Sequence, residues 1–331
     1  MLREQAPRLP ARPRRGRAVT RTALRLGTRA SLLATTQSQL VADAITAATG
    51  VPVELVRITS EGDVLTGSLA QMGGTGVFAT ALRDALLRGE CDLLVHSMKD
   101  LPTAPFAGIV VGAVPVRAPQ RDVLCARDGL TLATLPPGAR VGTGSPRRVA
   151  QLRARRPDLD VRDIRGNVDS RLRKVTDGEL DAVVLAEAGL RRIGRDAAIT
   201  EILDWPTSAA QGALAVEVRA EDAEGEIGRA VRAVNDADTQ LCAELERAVL
   251  RSLEAGCAAP VAIDAVRVGD EVTLVADVHA PDGARSVRAE RRVAMADAGS
   301  DDARAAVAAD VVAELLAGGA ADFADLPGTA R

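Results

Sequence analysis

The feature that most constrains the fold of this chain is an alternation of short apolar strands with amphipathic helices, which occurs twice. The strand-like runs lie at 23–27, 53–58 and 92–95 in the first series and at 139–142, 159–164 and 181–185 in the second. Strands that alternate with helices predict parallel α/β sheets. The sequence therefore predicts two α/β lobes, and the crevice between two such lobes is a common place to bury a small ligand.

The C-terminal region follows a different pattern. A helix over 238–253 precedes three strands at 261–268, 272–279 and 286–293, and a last apolar helical repeat follows them. This order predicts a small α+β domain over 235–331. We expect the other two domains to consist of residues 24–118 with 213–232, and of residues 119–208.

Composition excludes several classes of protein. The 331 residues contain no run of about 18 apolar residues, so no membrane-spanning helix is expected. Acidic residues (45) slightly outnumber basic residues (42), and aromatic residues make up 1% of the chain, which argues against nucleic-acid binding. The four cysteines form no CxxC pair and no Cys/His cluster with zinc spacing. We expect a protein of the reducing cytosol without a metal site.

The N-terminal residues stand apart from the strand and helix pattern. Residues 1–25 are rich in arginine and contain no apolar segment of the kind that a secretory signal requires. We interpret residues 1–23 as a disordered basic tail. An Arg-rich transit peptide and a start codon placed too far upstream are the alternatives.

The first chemical signal lies at the carboxyl end of the strand 92–95. Lys99 is one of two lysines in the chain and His96 one of two histidines, and Asp100 follows them. In open α/β sheets, ligands bind at the carboxyl ends of strands. A carboxylate beside a lysine offers a proton donor or acceptor whose pKa the cation would tune. The alternative is a solvated turn at the end of a strand.

The second signal is a series of arginines at helix starts and strand ends. Arg147 and Arg148 lie at the start of a predicted helix, where free backbone N–H groups also favour an anion. The other members of the series are Arg29, Arg165, Arg171, Arg191 and Arg192. Guanidinium groups bind carboxylates in a bidentate manner, so the set predicts a crevice for a ligand with several carboxylates. Any one of these arginines, taken alone, could equally be a surface residue.

The third signal is Cys257, in a loop of small residues over 254–260 that follows a helix. A helix C-terminus raises the pKa of a thiol, so Cys257 is a poor candidate for a fast thiolate nucleophile. A permanent thioether attachment demands less reactivity. Composition alone favours a structural cysteine.

Several stretches of the chain together resemble the porphobilinogen deaminase (hydroxymethylbilane synthase) family. They follow the order of the family from about residue 24 to the last helix, and the His-Ser-Met-Lys-Asp run with the Gly-Cys-x-x-Pro loop is their most specific part. The matching stretches are 26–31, 73–78, 95–102, 141–148, 164–168, 188–192, 211–212 and 253–260.

This resemblance implies two periplasmic-binding-protein-like α/β lobes with a central cleft, plus a small C-terminal α+β domain. It implies an enzyme of porphyrin and haem biosynthesis that joins four porphobilinogen molecules head to tail on a covalent dipyrromethane cofactor. The enzyme would release ammonia and, after hydrolysis, the linear tetrapyrrole hydroxymethylbilane. It would be a cytoplasmic monomer without metal, nucleic acid or membrane partners, and its product would pass to uroporphyrinogen-III synthase.

The resemblance also assigns roles to residues. The cofactor thioether falls on Cys257, which overturns the structural interpretation, and the catalytic aspartate falls on Asp100. The positions assigned to the cofactor also include Lys99, Arg29, Ser31, Thr143, Ser145, Arg147, Arg148, Arg165 and Gly166. The positions assigned to the substrate are Arg29, Arg165, Arg171, Arg192 and Phe78.

The sequence departs from the family pattern at three points. Gly144 and Pro146 stand in a segment that usually reads Ser-Ser-Leu-Arg-Arg, Thr75 stands where lysine is common, and 208–212 replaces a segment similar to Val-Gly-Gln-Gly. These differences put single contacts in doubt. Two rival classes are an anion-binding receptor or effector domain and a pyridoxal-phosphate enzyme with Lys99 as its Schiff base.

Overall fold

Lobe 1 is built from the first strand and helix series. A computed structural model describes residues 23–58, 76–254, 259–324 and 326. Lobe 1 begins with β1 (Leu24–Thr28), α1 (Leu32–Thr49), β2 (Val53–Arg57), α2 (Gly76–Leu87), β3 (Leu93–Ser97), a 3-10 turn (Met98–Asp100) and β4 (Ile109–Ala113). Ser31 caps the start of α1, and Gly50, at φ 72°, ends it as the pattern predicts.

The chain then crosses into lobe 2, which repeats the design. Its elements are β5 (Asp122–Ala126), β6 (Arg140–Gly142), α3 (Pro146–Arg155), β7 (Asp160–Arg162), α4 (Val168–Thr176), β8 (Ala182–Ala186), α5 (Glu187–Arg192) and β9 (Glu201–Leu203). Pro146 occupies the first turn of α3, where its missing N–H costs nothing, and the Ser145 side chain caps that helix. The Asn167 side chain caps α4 in the same way.

After lobe 2 the chain returns to lobe 1 through β10 (Leu214–Arg219) and α6 (Glu226–Arg232). The strand order is β2-β1-β3-β10-β4 in lobe 1 and β7-β6-β8-β5-β9 in lobe 2. In each sheet the strand that enters from the other lobe, β10 or β5, runs antiparallel to both neighbours. The pairings β1–β2, β1–β3, β6–β7 and β6–β8 are parallel, as the sequence predicted, whereas β10 and β5 make each sheet mixed.

Domain 3 completes the described chain. It contains α7 (Ala237–Ser252), β11 (Val261–Val268), β12 (Glu271–His279), β13 (Ser286–Ala294) and α8 (Asp301–Ala317). The three strands form an antiparallel sheet in the order β11-β12-β13, and apolar residues of the sheet and both helices form one core. The predicted architecture of two α/β lobes and an α+β domain is confirmed. Within the described residues, no helix combines the length and the apolar character needed to cross a membrane.

Candidate active site

Two connecting segments, 114–121 and 204–213, join the lobes and lie side by side. Ala118 N donates to Gly212 O at 3.2 Å. Gly212 has φ +89°, and a Cβ at this position would lie 2.4 Å from Ala118 O, so only glycine allows the two segments to approach this closely. Gln211 and Gly212 therefore lie in a segment that connects the two lobes.

The turn after β3 reaches these connecting segments. Met98 is buried and its backbone N–H donates to Ala213 O at 3.0 Å. Lys99 is half-buried, whereas Asp100 is exposed. The turn therefore gives these two adjacent residues different environments: Lys99 is partly covered by the protein, and Asp100 is open to solvent.

Lys99 is directed at Gln211 of the returning segment. Its Nζ donates to Gln211 Oε1 at 3.2 Å. Burial lowers the pKa of the Lys99 ammonium to about 8; Asp100 opposes this shift and Arg148 reinforces it. Among the described residues, the ammonium therefore has no hydrogen bond to a carboxylate.

A buried carboxylate of lobe 2, Asp122 at the start of β5, lies behind this lysine. Its oxygens accept from Arg147 Nη1 at 2.7 Å and from Arg148 Nη2 at 2.7 Å. Trp205 Nε1 and Gln211 Nε2 also donate to it, each at 2.9 Å. Burial alone would raise the pKa of Asp122, but the two guanidinium groups hold it well below its usual range.

This ion cluster leaves an excess of positive charge inside the molecule. Arg147 and Arg148 are 3% and 6% exposed, and two guanidinium charges share the single Asp122 carboxylate. Arg147 Nε is buried and has no hydrogen-bond partner among the described residues. The two arginines are therefore buried and held in place by their ion pairs with Asp122.

Arg171 and Arg192 of lobe 2 donate to backbone oxygens. Arg192 Nη2 donates to Gly212 O at 2.6 Å, and burial lowers its pKa to about 10. Arg171 Nε donates to Gly166 O at 2.8 Å. Burial lowers the pKa of Arg171 as well, with Arg148 and Arg165 adding to this shift, and Asp163 and Asp100 opposing it. Within the described residues, neither arginine has a carboxylate at ion-pair distance.

Lys99 of lobe 1 and Arg192 of lobe 2 donate to neighbouring residues of the returning segment, Gln211 and Gly212, so the two lobes meet here. Arg165 is exposed and pairs with Asp163 at 3.2 Å. Arg29 and Ser31 follow β1, where Ser31 Oγ accepts from Ala34 N at 3.4 Å. Arg165 and Arg171 thus belong to lobe 2, before and within the first turns of α4, and Arg29 and Ser31 belong to lobe 1.

The small and hydroxyl residues of lobe 2 shape the loops between the sheet and its helices. Thr143 is buried and its Oγ accepts from Ser145 N at 3.3 Å. Gly144 approaches Ile164 O so closely that a Cβ would lie 2.7 Å away. Gly166 has φ +110°, which favours glycine at the start of α4.

Domain 3 contacts both connecting segments through one carboxylate. Glu246, on α7, is buried and accepts from Arg117 Nη1 at 2.8 Å and Nη2 at 2.9 Å. It also accepts from Ala210 N of the returning segment. Burial raises the pKa of Glu246 and Arg117 opposes that shift.

Some predicted site residues lie outside the description. Cys257, Thr75 and the tail 1–22 are among the residues that the structure does not describe, and the Phe78 side chain is likewise outside it. Sequence reasoning missed Asp122 and the central position of Gln211. The one sequence signal for Asp122 was its position directly before the apolar run 123–126.

The donor set fits an anionic ligand. Lys99 and Arg192 reach the returning segment from two lobes, and neither they nor Arg171 have a carboxylate at ion-pair distance within the described residues. Arg147 has a buried N–H without a partner among them. A dipyrromethane cofactor carries acetate and propionate groups, which are the anions that such cations bind. In the described part of the chain, no group of three or more His, Cys, Asp or Glu could hold a metal ion.

Comparisons with known proteins agree with this chemistry. Residues 24–250 match the family model described as porphobilinogen deaminase, dipyromethane cofactor binding domain, and residues 240–314 match its C-terminal domain. The porphobilinogen deaminase of Leifsonia xyli subsp. xyli is 55% identical over 327 residues, which is 96% of this chain and 98% of that protein. The porphobilinogen deaminase of Thermobifida fusca is 56% identical over 280 residues, 83% of this chain and 87% of that protein.

Structural matches include the methionine binding protein MetQ, which is 11% identical in sequence with a TM-score of 0.43. The match covers 66% of this chain and 92% of MetQ. A periplasmic substrate-binding protein from Coxiella burnetii has 14% identity and a TM-score of 0.42, covering 66% and 94%. The two family models together cover most of the chain, and one of them is the domain that binds the dipyrromethane cofactor. The chain therefore belongs to the porphobilinogen deaminase family.

Proposed function

We propose that this chain is a transferase that condenses four porphobilinogen molecules head to tail on a dipyrromethane cofactor bound through a thioether to Cys257. It releases four ammonia molecules and, after hydrolysis, hydroxymethylbilane. The observation that carries the proposal is that Asp100 is exposed and has no hydrogen bond or ion pair among the described residues. Lys99, Arg171 and Arg192 likewise have no carboxylate at ion-pair distance among them. We further propose a cytoplasmic monomer whose product passes to uroporphyrinogen-III synthase.

The same proposal divides the chain into domains. Residues 24–118 with 213–232 form domain 1, residues 119–208 form domain 2, and residues 235–331 form domain 3 with the cofactor cysteine. The sheet membership of the strands supports this division, since β10 joins the lobe 1 sheet and β5 begins the lobe 2 sheet.

The cofactor, when bound, supplies the pyrrole carbon that accepts the first substrate. In each addition, the C–N bond of a porphobilinogen aminomethyl group breaks and a C–C bond to the growing chain forms. The pyrrole carbon that attacks loses a proton, and the departing amine gains one. We assign this proton transfer to Asp100, because an exposed carboxylate can accept the proton and stabilise the cationic pyrrole that precedes its loss.

The cations have the complementary task of holding the carboxylates of cofactor and substrate. Arg171 and Arg192 would exchange their backbone contacts for ligand carboxylates, and Arg29, Arg165 and Lys99 would add charge at the cleft. Ser145, Gly166 and Phe78 are proposed to line the same cleft, and the buried Thr143 is proposed to support the loop that bears Ser145. Arg147 and Arg148 supply a positive field from behind, since both are buried against Asp122.

Intact mass spectrometry tests this function. The purified chain should weigh more than its sequence by two linked pyrrole units and should form hydroxymethylbilane from porphobilinogen. Cys257→Ser should have the unmodified mass and no activity, while Cys242→Ser, a buried cysteine of domain 3, serves as the matched control. A Cys257→Ser protein that still makes bilane would refute the proposal, and an unmodified wild-type chain that only binds porphobilinogen would favour a receptor.

A further inference from the structure

Helix α7 of domain 3 holds the turn that carries Lys99 and Asp100. One side chain of that helix, Arg247, donates to three backbone oxygens on both sides of these two residues. Its Nη1 donates to Met98 O at 3.1 Å and Leu101 O at 2.9 Å, and its Nη2 donates to Pro102 O at 2.7 Å. A single guanidinium therefore fixes the backbone immediately before and after Asp100.

The turn has few other restraints. Within it, Leu101 N donates to Met98 O at 3.3 Å, and Met98 N contacts the returning segment. The Asp100 carboxylate itself makes no hydrogen bond or ion pair with any of the described residues. Its position therefore depends on the backbone that bears it, and Arg247 supplies most of the hydrogen bonds to that backbone.

The setting of Arg247 also favours this role. It is half-buried, and burial lowers its pKa to about 10, with Arg251 and Arg83 adding to this shift. The guanidinium is still charged at neutral pH, and it forms no ion pair within the part of the chain that the structure describes. A cation removed from water without a carboxylate is costly, so a sequence that needed only to cover this turn would be better served by an apolar side chain.

We propose that Arg247 is a positioning residue that holds Asp100 at the reacting carbon. This inference rests on the proposed function. Helix α7 ends at Ser252, five positions before Cys257, so the helix that precedes the cofactor attachment also fixes the carboxylate. The preceding residue, Glu246, holds both connecting segments. Helix α7 therefore contacts the connecting segments through Glu246 and the turn that bears the proton-transfer group through Arg247.

Steady-state kinetics of Arg247→Ala and Arg247→Lys test this inference. We expect kcat to fall about 10- to 100-fold in Arg247→Ala, because a displacement of about 1 Å at a reacting group costs this much, while KM stays within about threefold. Arg247→Lys should recover part of kcat, since one ammonium can replace part of the guanidinium fork. The variants should carry the same cofactor mass as the wild type.

Arg251→Ala is the matched control, because Arg251 lies one turn further along α7 and, within the described chain, donates to Thr103 O beyond the turn. Hydrogen exchange at the amides of 98–101 should accelerate in Arg247→Ala and not in Arg251→Ala. Arg247→Ala with wild-type kcat, or with a loss confined to KM, would overturn the positioning role and leave the proposed function intact. If Arg247→Ala fails to fold, wild-type kcat in Arg247→Lys with unchanged exchange would overturn it equally. Failure of the wild type to make bilane would overturn both proposals.

Discussion

Lobe 1 and lobe 2 share one design but present charge to the cleft in opposite ways. Lobe 1 offers Asp100 on an exposed turn, where the carboxylate has no partner among the described residues. Lobe 2 offers Asp122 at zero exposure, where two guanidinium groups, an indole and an amide all donate to it. A saturated carboxylate has no free lone pair for a substrate proton, whereas an unsaturated one remains available for proton transfer.

Asp100 and Asp122 are the same residue type, so their hydrogen-bond partners and burial determine the different roles that we expect for them. Asp122 neutralises part of the charge of Arg147 and Arg148 and fixes them in place. Asp100 is held only through its backbone. We therefore expect substitutions at Asp122 to affect stability and substitutions at Asp100 to affect turnover.

The largest expected effect is on turnover in Asp100→Asn. We expect kcat to fall about 10²- to 10⁴-fold, because the amide cannot accept the pyrrole proton. The free energy of unfolding should change by less than about 0.5 kcal/mol, since the side chain is exposed and has no described partner. Kinetics and denaturant unfolding on one preparation measure both quantities. If Asp100→Asn is destabilised but has a normal kcat, Asp100 has a structural role like that of Asp122, contrary to the difference that we expect between them.

The converse effect is expected in Asp122→Asn. Removal of the carboxylate leaves two buried guanidinium groups without a counter-charge, which should cost about 3–5 kcal/mol of unfolding free energy. The low pKa of Asp122 stabilises the fold at pH values above the ordinary aspartate pKa, and this contribution is lost as the pH falls. Urea unfolding at neutral and acidic pH measures it. The proposal of a structural carboxylate fails if Asp122→Asn is as stable as the wild type and equally sensitive to acid.

A smaller effect is expected on substrate binding in Arg171→Ala. Loss of one charged hydrogen bond to a carboxylate should raise KM about tenfold, with little change in thermal stability. Arg173→Ala, on the exposed face of the same helix, is the control and should retain the wild-type KM. Equal KM values in Arg171→Ala and Arg173→Ala would remove Arg171 from the cleft.

The smallest expected effect is a pH dependence of stability and of kcat/KM that arises from Lys99 of lobe 1. The pKa of Lys99, about 8, lies below the ordinary value of 10.5, so the folded protein loses this proton first. Between these values the unfolded chain binds more protons, and deprotonation of Lys99 makes stability rise with pH. Loss of the cation should weaken carboxylate binding over the same range, so kcat/KM should fall by at most about tenfold per pH unit above pH 8.

Lys99→Arg is the matched variant for this pH dependence, because arginine stays charged throughout the range. Its decline in kcat/KM should move to higher pH. A pH profile of kcat/KM measures both proteins. If kcat/KM declines over the same alkaline pH range in the wild type and in Lys99→Arg, the decline is due to a group other than Lys99.

The sequence predicted most of the helices and strands that frame the cleft. Periodicity and capping residues were sufficient for α1, for α3 and for the hairpins of domain 3, because those signals are local. Strands β4, β5 and β9 were not predicted. Strand β5 begins with the charged Asp122, and a short strand that opens on a charge lacks a clear apolar period. Strand direction was also beyond the sequence pattern, as the antiparallel β5 and β10 show.

The sequence by itself determined the order of elements, the family and the residue types placed at the strand ends. Only the tertiary structure decided which cations remain available to a ligand. Arg147 and Arg171 both lie near the start of a helix. Arg147 pairs with Asp122, 25 positions away in the sequence, whereas Arg171 donates to the backbone oxygen of Gly166. The physical reason is that ion pairing and burial depend on groups brought together by the return of the chain between the lobes, and no local pattern contains that distance.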